Sequence, residues 1–200
     1  KTPAGQPARD YLARRQLTAQ TVTRFGLGFA PDTWDSLVRA MKALGYSEQE
    51  LFDGGLVRHG RSGGVYDTFR NRLMFPVIDV RGNVIGFSGR ILGDGEPKYM
   101  NSPETIVFSK SHNLFALNLA KKSKCGYIIL AEGNIDVASL HQAGFDSAVA
   151  SLGTSLTPEQ ARLLSRYTSE IVIAYDNDGA GQKASQRAIG ILEKLSLIHI

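Results

Sequence analysis

Four carboxylates stand out by their type and spacing. YIILAE carries an apolar stretch straight into Glu132, and Asp136 follows four residues later, one helical turn on. EIVIAYDNDGAG ends a second apolar stretch on Asp176 and Asp178, two apart, so an extended chain turns both to the same side. Acids placed at the end of a buried strand either cap the helix that follows or hold a cation. Taken singly, Asp136 and Asp178 read as N-caps. Taken together, and if the two strands are neighbours, all four converge on one edge. Hard oxygen donors of that kind select Mg²⁺ or Mn²⁺, and ions held this way can clamp the attacking and leaving oxygens of a phosphoryl transfer.

The elements that must position these acids follow from periodicity. From Tyr127 onward, apolar strands (YIILAE, SAVAS, IVIAYD) alternate with helices (NIDVASLHQAG, TPEQARLLSRY, AGQKASQRAIGILEKL). Uninterrupted apolar strands between helices predict a mostly parallel sheet covered on both faces. Ligands gather at the carboxyl ends of such strands, where Glu132 and Asp176 lie. Thr157 is placed to cap the middle helix, with Pro158 at its first position. Upstream, PARDYLARRQ, TAQTVTRFG and TWDSLVRAMKALG read as short helices, with Thr18 and Thr33 as N-caps and Gly26 and Gly45 as stops. FGLGFAP reads as a glycine-rich connector. RLMFPVIDVRGNVIGFSGRIL predicts a hairpin turning at Arg81-Gly82-Asn83. GDGEPKYMNSPET reads as a polar loop, and NLFALNLAKK as a helix.

Composition sets the outer bounds. Two hundred residues, 42% apolar and 21% charged, suffice for one substantial globular domain or two small ones. The single cysteine, Cys125, rules out an internal disulfide framework and a Cys-rich zinc site within the chain. No apolar run approaches the ~18–20 residues of a membrane span, so no membrane association is expected and the chain reads as cytoplasmic. Residues 1–110 hold 15 Lys and Arg against 11 Asp and Glu, whereas residues 111–200 hold eight of each. All of the net charge of +4 therefore lies in the first part, which points to a phosphate-bearing partner there. Neither KTPAGQPARD nor LSLIHI looks like a natural terminus, and a piece of a longer protein is expected.

AEGNIDV resembles the glutamate motif, and AYDNDGAG the DxD motif, of the Toprim domain shared by primases, topoisomerases and some nucleases. Those motifs alone leave the activity open. RNRLMFPVIDVRGNVIGFSGRIL, PKYMNSPET, ASLGTSLT and FGLGFAPDTW are similar to the RNA polymerase domain of the bacterial replicative primase family (DnaG-type). The resemblance runs from about Tyr11 to Leu192. It implies an α/β fold: a basic N-terminal α+β subdomain over residues 1–109, followed by an incomplete Toprim subdomain over 110–200, Rossmann-like with a mostly parallel sheet. It also implies synthesis of short RNA primers from NTPs on a single-stranded DNA template, by a monomer, at the bacterial replication fork. Glu132 would act as general base or metal organiser. Asp176 and Asp178 would bind Mg²⁺ or Mn²⁺, with Asp136 in support. Arg15, Arg90, Lys98 and Lys110, by motif position, would bind template and nucleotide phosphates. Zinc belongs to a separate N-terminal domain of the family, and the contact with the replicative helicase to a C-terminal one. A third acidic motif, DPD-like, would lie beyond Leu195.

Three positions depart from the family pattern near the acids. Asn134 and Ile135 stand where the glutamate motif commonly has Tyr and Met, and Asn177 stands where the DxD stretch commonly has Gly. Gln16 and Ser111 replace glycines that usually follow Arg15 and Lys110. Arg70 and Arg72 alternate with apolar residues and read equally well as edge charges. Phe69, Phe75, Phe87 and Phe108 read as core. His112 and His141 have no ligand spacing. Two other readings stand beside the primase: another Toprim enzyme, which the PKYMNSPET block disfavours, and a non-catalytic nucleic-acid-binding module whose acids only cap helices.

Overall fold

Hydroxyl and carboxylate caps decide where several of the helices begin. The computed structural model describes residues 2–61, 63–153 and 155–199; Ile200, the end of LSLIHI, and Thr154, within ASLGTSLT, lie outside the described residues. The chain divides into two units, Lys1–Pro76 with Gly86–Phe108, and Val77–Ile85 with Ser109–Ile200.

The first unit opens with α1 (Gln6–Arg14) and α2 (Ala19–Arg24), and Thr18 accepts the N–H of Thr21 as the expected cap of α2. FGLGFAP is more than a connector. Its Gly28–Ala30 forms β1, paired antiparallel with β4 (Arg72–Ile78). Next come α3 (Ser36–Ala43) and α4 (Glu48–Asp53), the latter closed by a Ser47/Glu50 capping box, and then the two-stranded pair β2 (Val57–His59) and β3 (Val65–Asp67). Thr33 does not cap α3. The cap comes from β3: the Asp67 carboxylate, 2% exposed, accepts Leu37 N at 2.8 Å, Val38 N at 3.0 Å and the Ser36 hydroxyl at 3.2 Å. A charged acceptor thirty residues away outcompetes a local hydroxyl because it serves two orphan N–H groups at once.

β4 and β5 (Val84–Ile91) form the expected hairpin, and its turn is tied by Asp79, whose Oδ1 accepts Arg81 N at 2.8 Å and Asn83 N at 2.9 Å. The polar loop contains one short strand, β6 (Tyr99–Asn101), antiparallel to β5, and completes the sheet order β1-β4-β5-β6. Phe69, Phe75 and Phe108 are buried, as core residues should be.

The second unit takes the hairpin tip, Val77–Ile85, together with β7 (Leu114–Phe115), α5 (Leu117–Ala120), β8 (Ile128–Ala131), α6 (Asn134–Gln142), β9 (Ala148–Ser151), α7 (Pro158–Leu164), β10 (Glu170–Ala174), α8 (Gly179–Leu192) and β11 (Ile198–His199). NLFALNLAKK thus splits: β7 pairs antiparallel with β9, and only four residues are helical, after Ala116 at φ +65°. The sheet order is β11-β10-β8-β9-β7, parallel apart from β7. β8 and β9 are buried along their whole length, which explains why every residue in them but Ser151 is apolar. Leu130, Val149, Leu164, Ile171 and Leu192 centre the core that the helices cover.

Candidate functional site

Strand order places the acids. From β8 the chain moves to β9 on one side, then returns past β8 to lay β10 on the other. The carboxyl ends of β8 and β10 therefore flank a reversal of strand order, the usual crevice for ligands in such sheets. Ala131 pairs with Ala174 as the last register step, so Glu132 leaves one strand where Tyr175 and Asp176 leave the other. The Glu132 carboxylate accepts the backbone N–H of Asp176 at 3.2 Å, joining two motif acids that are 44 residues apart.

The other two acids do local work. Asp178 is the N-cap of α8, its Oδ1 accepting Ala180 N at 3.0 Å and Gly181 N at 2.8 Å. Its Oδ2 takes no hydrogen bond among the described residues. Asp136 accepts Gly133 N at 3.0 Å at the start of α6. Asn177 turns toward α8, where its Oδ1 accepts Gln182 Nε2 at 3.0 Å. Among the described residues no three His, Cys, Asp or Glu side chains form a ready-made metal cage. The donors are nonetheless all carboxylate oxygens at an exposed strand edge. That set fits Mg²⁺, which keeps most of its waters and takes one or two protein carboxylates plus phosphate oxygens.

Two features fix this edge. A Cβ on Gly181 would stand 1.9 Å from the Asp176 carbonyl oxygen, so the turn bearing both acids closes only over glycine. Beside it, burial and then the charge of Glu132 push the Tyr175 phenol up to about 12, so the ring stays neutral, and its hydroxyl is buried without a hydrogen-bond partner among the described residues.

Lys110 lies in the second unit, on a segment held by α7. Gln160, 1% exposed, donates Nε2 to the carbonyls of Lys110 at 2.9 Å and Asn113 at 2.8 Å, and the Thr157 hydroxyl donates to Ser111 O at 2.6 Å. Thr157 and Gln160, which also form the capping box of α7, therefore anchor the segment that carries Lys110.

In the first unit, Arg15 and Arg90 meet around one aromatic ring. The Arg15 guanidinium carbon lies 5.6 Å from the Tyr11 ring centroid and its Nε donates to the Tyr11 hydroxyl at 3.1 Å. The Arg90 guanidinium lies 4.4 Å from the same centroid. Lys98 is exposed, and its carbonyl accepts Ile91 N at 3.0 Å, one residue past Arg90. Arg72 proves to be no edge charge. It is 4% exposed and donates Nη1 at 3.0 Å to the carbonyls of both Gly89 and Pro97, clamping the Lys98 loop to β5. Burial, then Arg70 nearby, lowers its pKa below the usual arginine value. Tyr11, Arg72, Gln160 and Gly181 position the candidate residues. Periodicity could not find the first three, because Arg72 and Gln160 act on backbone far away in sequence and Tyr11 on Arg90 of a later strand. Gly181, by contrast, acts on Asp176 five residues before it.

The same pieces occur in known proteins. A family model described as the DNA primase catalytic core, N-terminal domain, matches residues 1–121, and a Toprim-like model matches residues 129–199. The DNA primase of Clostridium acetobutylicum is 51% identical over 188 residues, covering 94% of this chain and 31% of that protein. The chain thus spans about a third of the length of the curated relatives it matches. The catalytic core of E. coli primase superposes with a TM-score of 0.85 at 42% identity, covering 94% of this chain and 61% of that one. A DnaG primase catalytic domain solved bound to ssDNA gives 0.83 at 42% identity, over 94% of this chain and 62% of that one. A Toprim-type primase core implies divalent-metal chemistry in general terms. No helix among the described residues is long and apolar enough to cross a membrane. With both of its units matched in sequence and in fold, the chain belongs to the DnaG-type DNA primase catalytic-core family.

Proposed function

We propose that this chain carries the nucleotidyl-transfer core of a primase, making short RNA primers from NTPs on single-stranded DNA with Mg²⁺ or Mn²⁺. The observation that carries the reading is the hydrogen bond from Asp176 N to Glu132, which joins the two Toprim motifs at the reversal of strand order. Glu132, Asp176 and Asp178 would hold the ion, with Asp136 in support. Once bound, the ion would neutralise phosphate oxygens and make the attacking hydroxyl more acidic.

In the reaction, the 3′-oxygen of the primer or first nucleotide bonds to the α-phosphorus of the incoming NTP. The bond from that phosphorus to the bridging oxygen breaks, and pyrophosphate leaves with the electron pair. The hydroxyl proton would pass to Glu132, whose carboxylate stands on the exposed edge. Arg15, Arg90 and Lys98 in the first unit, and Lys110 in the second, would bind the phosphates of template and NTP. Contact with the replicative helicase, and action as a monomer, belong to the same reading.

Calorimetric titration with Mg²⁺ and Mn²⁺ tests the metal assignment. Binding should be lost in Asp176→Ala/Asp178→Ala, and binding undiminished in that variant would remove the site. Primer synthesis on single-stranded DNA by the full-length protein tests the reaction, and Glu132→Gln should lower it by about 10²–10⁴-fold, the usual worth of a general base.

A further inference from the structure

Residues 109–113 lie at the same sheet edge as the motif acids. β7 runs antiparallel to β9 and opens at Leu114, opposite Ser151, the last residue of β9. The segment leading into β7 therefore sits at the carboxyl ends of the parallel strands. Two strand spacings, about 10 Å, separate β7 from β8, which runs into Glu132. The backbone of this segment is tied down almost completely. The carbonyls of Lys110, Ser111 and Asn113 are held by α7. That of Ser109 accepts Asn113 Nδ2 at 2.9 Å and His112 N at 3.2 Å.

On this turn His112 is exposed, yet its ring is oriented. Its Nδ1 lies 2.9 Å from the Ser111 hydroxyl and 3.1 Å from that of Ser109, and the two hydroxyls are 3.1 Å apart. A ring nitrogen flanked by two hydroxyls is served best as their acceptor, which leaves the ring proton on Nε2. Nε2 has no hydrogen-bond partner among the described residues, and His112 forms no ion pair there. The serine hydroxyls are not needed to close the turn, which the backbone bonds and the Asn113 amide already close. They fix the ring. Residues 109–113 include no acid, and Glu159, the acid of α7, is paired with Arg162 at 3.7 Å. A fixed, outward N–H two residues from the Lys110 ammonium suits an anion with several oxygens, and a phosphate is one.

We infer that His112 is a phosphate-binding residue of the nucleotide site, donating Nε2–H to a phosphate oxygen of the incoming NTP, with Ser109 and Ser111 as its positioning residues. The inference rests on the primase reading for its ligand and adds a neutral donor to the charged residues named there. Because the ring is set before the ligand arrives, little ordering is left to be done on binding.

The 200-residue chain would be titrated with ATP and Mg²⁺ by calorimetry, with its imidazole nitrogens followed by NMR at about pH 8.5, where imidazole is neutral. Of the four histidines, the one missing from the His112→Ala spectrum is assigned to this position. It should carry its proton on Nε2, and ATP should move that nitrogen more than Nδ1. His112→Ala should bind ATP about tenfold less tightly, the lower end for a hydrogen bond to a charged group. His112→Gln, whose amide brings an N–H within reach of the same oxygen, should recover most of the affinity. Ser109→Ala/Ser111→Ala should also bind ATP less tightly, with the ring proton shared between both nitrogens. Urea midpoints close to that of the unaltered chain show that the variants are folded. A proton on Nδ1, an Nε2 signal unmoved by ATP, or equal affinity in His112→Ala would each overturn the contact while leaving the primase reading intact. So would an Nε2 signal that moves with an oligo(dT) of about 16 nucleotides and not with ATP. Absence of any ATP binding would overturn both.

Discussion

Gly181 is the residue on which the acidic edge depends most directly. Any side chain there meets backbone, the Asp176 carbonyl, which cannot rotate out of the way. Gly181→Ala should therefore cost at least about 2 kcal/mol, the range of overpacking at a rigid site, read as a lower urea midpoint. The same variant should weaken Mg²⁺ binding, because the displaced turn carries both Asp176 and Asp178. Glu132 permits a finer division. Glu132→Gln keeps an acceptor for Asp176 N and loses only charge, whereas Glu132→Ala loses both. The Gln variant should thus keep its stability and bind Mg²⁺ less tightly, and the Ala variant should also melt earlier; calorimetry and thermal denaturation separate the two. The acids themselves were legible in the sequence because charge at the end of an apolar run is conspicuous. The capping by Asp136 and Asp178 was legible too, as the reading of each acid taken singly, but not whether either also faces a cation. Whether Asp178 faces a cation or its own helix depends on hydrogen-bond geometry over three residues, and the spacing DxD is the same for both.

Elements were legible where their boundaries are local. Thr18 and Thr157 cap helices through N–H groups three residues on, and the Arg81-Gly82-Asn83 turn is closed by Asp79 within four residues. Where a distant group intervenes, local reading fails, as at α3. Asp67→Ala should leave Leu37 N and Val38 N without their acceptor and cost about 2–3 kcal/mol, the worth of a lost cap with charge-assisted bonds, measured by denaturant unfolding. β1 and β7 were missed for a related reason. Three-residue and two-residue strands carry no periodicity of their own and exist because β4 and β9 offer them an edge. The Asp79 turn has a pH signature. The N–H of Asn83, with help from Arg81 and Gly82, holds the Asp79 carboxyl below its ordinary value of 3.8. A lowered folded value means that the stabilisation is complete above the unfolded pKa and is lost as pH falls through the folded one. Asp79→Asn should therefore show a flatter loss of stability below about pH 4, followed by urea midpoints across that range.

Over the whole molecule, charge and chemistry are segregated. The excess of Lys and Arg lies before residue 111, and the motif acids all follow it. Two binding activities should therefore separate cleanly. Asp176→Ala/Asp178→Ala should lose Mg²⁺ and retain single-stranded DNA, while Arg15→Ala/Arg90→Ala should retain Mg²⁺ and lose about two phosphate contacts, making the salt slope shallower by about 1.4 on a log–log plot. Calorimetry and anisotropy on the same samples check both. The alternation of strands and helices that predicts a parallel sheet was plain in the sequence, but its order was not, since nothing local says on which side of β8 the next strand lands. Equally hidden was the allotment of Val77–Ile85 to the second unit, where Val80 packs on the core and its carbonyl accepts the Lys121 ammonium. During synthesis this hairpin tip leaves the ribosome ahead of every other part of the unit it serves. It must wait, apolar and uncovered, until Lys121 and the strands after it emerge. Ser109–Ile200 expressed alone would lack a piece of its own wall, so the second half should need the first to fold even where it contributes nothing to binding.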